Sequence, residues 1–390
     1  MAHIIIYPSK NKEDINVNEK QFLTVPDIII HEDVICIEDT NISNLEDLIN
    51  KYKEVKTIVI LLDNYGKFIY SNLEFIKKHK EINFYIHEND IHKLESKPTT
   101  FQRYFALRSI LKDMPHIYIL AYYWYHYQSL YSINDTNIIC FPKFINKINE
   151  VELNKEPINK ILLSGSRSGH YPMRRHLASL NHPNVDILDA KMGITGSNFI
   201  EHLGKYLACF TCFSNKTTPY IINKFFEIPL SGSLLLAYEE LVKEPLKSIG
   251  FIDGENYISC TKENITQKID WICDQTNRNE IDRIRKNGYD LILSKHSDVA
   301  RFRMLLKLIL NEPIESFQKP IDIVQESVEV VQDPIEVIEE PIEVVQESVE
   351  VVQEPIKAVR KRNIYNSCRL YQKLYKNMYK NLYENLYLTN

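Results

Sequence analysis

Lys224-Phe225-Phe226-Glu227-Ile228-Pro229-Leu230-Ser231-Gly232, followed by the apolar run Leu234-Leu235-Leu236, is the stretch from which the rest of the chain can be read. Apolar residues at Ile221, Ile222, Phe225 and Phe226 recur at helical spacing, which predicts a helix with one stripe facing a core. Thr218 suits the cap of its first turn, and Pro219 the first helical position, where a missing N–H leaves nothing unpaired. On such a helix Lys224 and Glu227 are three residues apart and share a face. Pro229 then interferes with the helix, and Gly232 frees the backbone ahead of the next strand. A carboxylate and a cation beside a helix start suit a nucleotide-sugar site. The carboxylate accepts from ribose hydroxyls, while the cation and the helix N-terminus favour phosphate.

Working outward, strands are expected at Lys160–Ser164, Val185–Leu188, Tyr206–Phe213, Leu234–Ala237 and Tyr257–Ser259. Helical stripes follow at Ile265, Ile269, Ile272 and Cys273, and at Val299, Phe302, Leu305, Leu306 and Ile309, the last capped by Ser297. Nine of the ten glycines lie between Gly165 and Gly288, so close backbone approach is concentrated in this half, as a phosphate-cradling domain needs. Ile161-Leu-Leu-Ser164-Gly165-Ser166-Arg167 reads as a strand running into a Gly/Ser turn, and Pro172 opens a helix carrying Arg174. Amides of this turn, with Arg167 or Arg174, are the expected phosphate ligands, because ligands of open α/β sheets bind beyond the carboxyl ends of the strands. The bland alternative is that both arginines are solvated surface charges.

Several of these segments resemble a family. Lys224–Gly232, then Gly250-Phe251-Ile252-Asp253-Gly254-Glu255-Asn256-Tyr257, Arg285-Lys286-Asn287-Gly288-Tyr289 and Lys295-His296 to Arg301 look like the C-terminal half of group 1 glycosyltransferases. The nearest branch is the spore-maturation-like one, found also in large DNA viruses. The resemblance covers about Ile161 to Ile309. It implies the GT-B fold, two Rossmann-like α/β domains with a cleft between them, and a closing helix that crosses back to the first domain. It also implies sugar transfer from a nucleoside-diphosphate sugar, with retention of configuration. The wider group has a Glu-x7-Glu pair with Gly five residues after the second Glu. Glu227 and Gly232 match that second half, whereas Pro219 stands where the first Glu would be. No Asp-x-Asp motif is present to hold a metal on the diphosphate, so a metal-independent, cofactor-free transferase is expected. Its donor residues would be Gly165, Ser166, Arg167, Arg174, Lys224, Glu227 and Gly232.

Before residue 142 the strands His3–Tyr7, Val34–Ile37, Thr57–Leu62, Asn83–Ile86, His116–Ala121 and Asn137–Phe141 alternate with helical patterns. These open at the Ser43-x-x-Glu46 capping box and continue at Phe68–Lys80 and Thr100–Lys112, the order of a parallel sheet covered on both faces. After the strand Asn83–Ile86 comes His87-Glu-Asn-Asp90-Ile-His92, where Asp90 and His92 resemble an Asp-x-His of the family and would face the reacting centre. A loop histidine is otherwise structural.

The expected organisation is residues 1–142, a polar linker 143–159, residues 160–311, an acidic heptapeptide-repeat linker 312–360, and a basic Leu/Tyr-rich amphipathic helix 361–390. Prolines recurring inside the repeats exclude a coiled coil, which leaves an extended, acidic, probable-linker composition or strands added to a partner's sheet. The final helix is expected to dock on a protein partner or membrane surface, or on its own catalytic part. A net charge of −5 argues against a nucleic-acid binder. Seven scattered cysteines are no disulfide framework, and Cys209-Phe-Thr-Cys212 reads as two packed core thiols before zinc or redox chemistry. Without a secretory signal or bilayer-length apolar run, the chain reads as cytoplasmic, or virion-associated if viral. The acceptor is a glycan, protein or lipid. The competing reading is a GT-B-shaped binding or assembly module without catalysis, and a nucleotide-sugar hydrolase is a third.

Overall fold

A computed structural model of the chain describes residues 2–9, 20–39, 44–61, 72–88, 114–125, 137–167, 169, 171–188, 194, 196–214 and 219–313. Asp90, His92, the Thr100–Lys112 pattern, the repeats and the basic C-terminal segment lie outside them. Ile-, Val- and Leu-rich runs buried on both faces form parallel strands, as sheets covered by helices on each side require. The first sheet comprises β1 (Ala2–Tyr7), β2 (Val34–Glu38), β3 (Val55–Ile60), β4 (Asn83–Glu88), β5 (Ile117–Ala121) and β6 (Ile138–Cys140), in the order β2-β1-β3-β4-β5-β6. The second comprises β7 (Ile158–Leu163), β8 (Val185–Ile187), β9 (Tyr206–Cys212), β10 (Leu234–Tyr238) and β11 (Ile258–Cys260), in the order β8-β7-β9-β10-β11. Both therefore begin in the middle, step to one edge and return, the doubly wound Rossmann-like arrangement. Each has its topological switch between its first and third strands.

Helices α1 (Val25–Ile28), α2 (Leu45–Lys51) and α3 (Leu73–Lys78) accompany the first sheet. The second is accompanied by α4 (Pro172–Ser179), α5 (Gly196–Leu203), α6 (Lys224–Leu230), α7 (Lys243–Ser248), α8 (Ile265–Cys273) and α9 (Arg278–Leu291). A π turn at Ile292–His296 leads into α10 (Asp298–Ile309). Two expected helix starts are corrected. Asn44, not Ser43, caps α2, accepting from the Asp47 N–H at 2.7 Å. The helix expected from Pro219 begins only at Lys224. Tyr220 instead exchanges both backbone hydrogen bonds with Ser214, which holds the chain extended just where the helix would start.

Strand alternation decides what becomes of the C-x-x-C. Leu162, Cys209 and Leu235 face one layer of the core, while Leu163, Phe210, Cys212 and Leu236 face the other. Residues three apart on a strand point to opposite faces, so Cys209 and Cys212 are separate buried thiols, both free.

Both sheets belong to one compact unit. The stretch 143–159 is not a loose connector as its composition predicts. Phe144 is buried, and the Asn154 carbonyl accepts from buried Arg285 at 3.1 Å. Ser297 caps α10 as expected, donating an acceptor to the Ala300 N–H at 3.2 Å, and the helix returns to the first sheet's helices. Phe302 packs on Phe144 and Phe22, with ring centroids 5.4 and 6.3 Å away. Asp298 accepts from the Thr24 hydroxyl at 3.0 Å and the Lys147 N–H at 2.9 Å, and Ile145 bridges to Ser297.

Candidate functional site

The switch point of the second sheet lies between β7 and β9, and the turn leaving β7 is Ser164–Arg167. Gly165 has φ +92°, a left-handed conformation that a side chain would strain. It is also crowded: a Cβ there would lie 2.9 Å from an Arg174 guanidinium nitrogen and 3.1 Å from Lys224 Cε. One turn, one helix start and one arginine thus converge. Pro172 opens α4 as its composition predicts, and α4 brings Arg174 under the turn.

The converging cations differ in what they do. Arg174 is 2% exposed, stacks over the Tyr171 ring at 4.0 Å and donates to the Ser166 carbonyl at 3.2 Å. It is neither solvated nor an open phosphate ligand, but a strut that fixes the turn. Lys224, the first residue of α6, is half-buried with its ammonium 4.0 Å over the Phe199 ring. Burial pulls its pKa down to about 8, against the pull of Glu227. One turn further along α6 is Glu227, half-buried, whose carboxyl is raised by burial and drawn back by Lys224, Lys143 and Arg174. Among the described residues neither the Lys224 ammonium nor the Glu227 carboxyl has a hydrogen-bonded partner. Two shielded, opposite charges without partners at a sheet's switch point are a site awaiting a polar ligand.

The structure brings Gly165, Ser166, Arg174 and Lys224 together, with Glu227 in electrostatic reach. Arg167 has an exposed side chain, and its carbonyl accepts from Arg175 at 3.4 Å. Gly232 lies beyond the far end of α6 at φ +77°, where a Cβ would meet Leu153 at 3.0 Å and its carbonyl accepts from Arg285 at 2.9 Å. It turns the chain into β10 and packs against residues 143–159. Asp90 and His92 lie outside the described residues. The family-like Lys295–Arg301 segment is internal scaffolding. Arg301 donates to His296 Nδ1 at 3.1 Å, which leaves Nε2 to donate to the Ile249 carbonyl at 2.9 Å. Buried beside that arginine, His296 is held well below the usual histidine range. Asp253 accepts from the Ser259 N–H and hydroxyl, so Asp253-Gly254 is a turn.

Sequence reasoning missed Lys143. It follows β6, is buried, and holds its ammonium over the rings of Tyr122 and Tyr123. The only signal was the tyrosine-rich run itself. Among the described residues no group of three or more His, Cys, Asp or Glu is arranged to hold a metal ion, and no helix is long and apolar enough to cross a membrane. A separate cleft of about 500 Å³ between β2 and α2, lined by Tyr7, Cys36, Glu38, Asp47, Lys51 and Tyr52 among others, shares no residue with this site.

No protein-family model matches the chain, and its sequence matches no curated protein. Solved structures do match in shape. HepE of Anabaena, crystallised with UDP-glucose, superposes with a TM-score of 0.51 at 10% identity, over 80% of this chain and 100% of HepE. A glycosyltransferase from Rickettsia africae ESF-5 superposes with a TM-score of 0.48 at 13% identity, over 80% of this chain and 100% of that one. At such identities the likeness is one of architecture, and the architecture is GT-B: two Rossmann-like domains, their sheets wound alike, closed by a helix that returns to the first.

Proposed function

We propose that this chain is a glycosyltransferase that takes its sugar from a nucleoside-diphosphate donor, in a branch similar to the spore-maturation-like group 1 enzymes. The observation that carries this is the pair Lys224 and Glu227, shielded, oppositely charged and without hydrogen-bonded partners beside the Ser164–Arg167 turn. Glu227 accepts from the ribose hydroxyls. Lys224 and the turn amides meet the diphosphate, whose charge grows as the glycosidic bond breaks and must be stabilised there. Arg174 keeps the turn in shape, and no metal is required. The match of Glu227 to a retaining group's motif favours retention, and the acceptor is a glycan, protein or lipid.

The test is a thermal-shift panel of nucleoside diphosphates and nucleotide sugars against wild type and Glu227→Ala. A ligand at a hundredfold excess over its Kd stabilises by about 2.7 kcal/mol, which raises the midpoint of a chain this size by a few degrees. Glu227→Ala should fold and lose most of the shift, since a charge-assisted ribose contact is worth about 1.5–3 kcal/mol. The wild-type shift should persist in EDTA. A shift that needs manganese would refute the metal-free reading.

Pro219, standing where the wider group has its first Glu, favours a second reading, a GT-B-shaped binding module without turnover. Nucleotide-sugar binding with neither transfer nor hydrolysis would select it.

A further inference from the structure

If Glu227 is the ribose ligand, its chemistry depends on its charge. A carboxylate only accepts hydrogen bonds, whereas a carboxylic acid spends one oxygen as a donor. A cation from outside the second sheet's own elements acts on that carboxyl. Lys143 enters from β6, is 8% exposed, and its ammonium lies 4.7 Å over Tyr122 and 5.5 Å over Tyr123. The same aromatic group meets the chain that leads into α6. Tyr123 packs on Tyr220 at 5.4 Å, and the Tyr125 hydroxyl accepts from the Ile221 N–H at 3.0 Å. Lys143 is therefore held at the seam between the two sheets, on the side from which α6 begins.

We propose that Lys143 is a positioning residue of the donor site, which keeps Glu227 in the charged, acceptor-only form that two ribose hydroxyls require. The proposal rests on the reading of Glu227 given above. The charged groups acting on Glu227 are Lys224 on its own helix, Lys143, and Arg174 on α4. Of the elements packed on α6, α9 turns Arg285 to the Gly232 carbonyl, the π turn gives His296 to the Ile249 carbonyl, and β9 presents the Cys209 thiol towards Lys224. Arg174 is engaged with Ser166, and Lys224 is itself near the loss of its proton. Lys143, steadied by two aromatic faces, is the cation best placed to hold the carboxylate as pH falls. Burial raises the Glu227 carboxyl, so withdrawing a cation raises it further and moves its protonation to higher pH.

The experiment follows the Glu227 carboxyl carbon by 13C NMR through a pH titration of the full chain, the resonance assigned by its loss in Glu227→Gln. Wild type, Lys143→Met, Lys143→Gln and Lys143→Arg are compared, with UDP affinity measured by calorimetry from about pH 5 to pH 8. Both neutral variants should raise the titration midpoint by about one pH unit or more, as removal of a nearby opposite charge does. UDP binding should weaken on acidification earlier by the same interval, and Lys143→Arg should restore both profiles. An unmoved midpoint in the folded neutral variants overturns the proposal. So does UDP binding weakened equally at every pH, which marks direct contact or damage to the fold. Failure of UDP and other nucleoside diphosphates to bind wild type at any pH removes the donor-site reading, and this proposal with it.

Discussion

At Gly165 the backbone angle and the crowding point the same way. The residue sits at φ +92° with Arg174 and Lys224 pressed against the space a Cβ would fill. Gly165→Ala should therefore lose about 1–3 kcal/mol of stability through the strained backbone alone. It should also weaken nucleotide binding, because the methyl group displaces the two cations. Chemical denaturation and the thermal-shift panel read the two effects, and a variant that matches wild type in both would show the turn to be unconstrained. Glycine, proline and charge are informative in a sequence because each has a local reason to be where it is. That is why Gly165, Pro172, Lys224 and Glu227 were legible, and why the Gly232 turn was expected, though its packing against Leu153 was not. Arg174 and Lys143 are different. Whether an arginine faces solvent or props a turn depends on what folds over it, and nothing near residue 143 in the sequence announces that Tyr122, Tyr123 and Glu227 will surround it.

Strands and apolar stripes were legible because a run buried on both faces, or a stripe at helical spacing, is a property of the element itself. Every expected strand is present to within a residue or two. Element starts were less so. The start of α6 is set by the bridge between Ser214 and Tyr220, a contact the helical pattern from Ile221 onward cannot reveal. Helix α10 shows the same limit in reverse. Its cap and stripe are local, but Asp298 serves the first sheet's side of the molecule as well, accepting from Thr24 and Lys147. Asp298→Ala should cost about 1–3 kcal/mol, because it strips acceptors from donors that fold around them. The exchange of the Lys147 amide should quicken in hydrogen-exchange measurements, with amides in the middle of α10 far less affected. Uniform loss of protection along α10 would instead mean that Asp298 matters chiefly as the helix's first acidic residue.

In the whole molecule, one continuous apolar cluster runs from Ile4 and Phe84 on the first sheet through Phe144 to Phe226 and Phe302. Two Rossmann-like sheets sharing a core this way should unfold together. Calorimetry of the chain should give a single transition with the calorimetric and van't Hoff enthalpies in agreement, and two resolved transitions would show that the sheets are energetically separate. The likeness to HepE was anticipated at the level of fold because winding order follows from strands alternating with helices, which a pattern can carry. The closing helix has a further consequence for how the protein is made. Thr24 and its partner Asp298 are 274 residues apart. At about 5–20 residues per second, a ribosome needs roughly 15–55 s to deliver that partner. Phe22 and Phe144 wait through that interval for Phe302 to arrive. A nascent chain stalled before residue 298 would carry an uncovered aromatic face, the kind of surface that chaperones recognise.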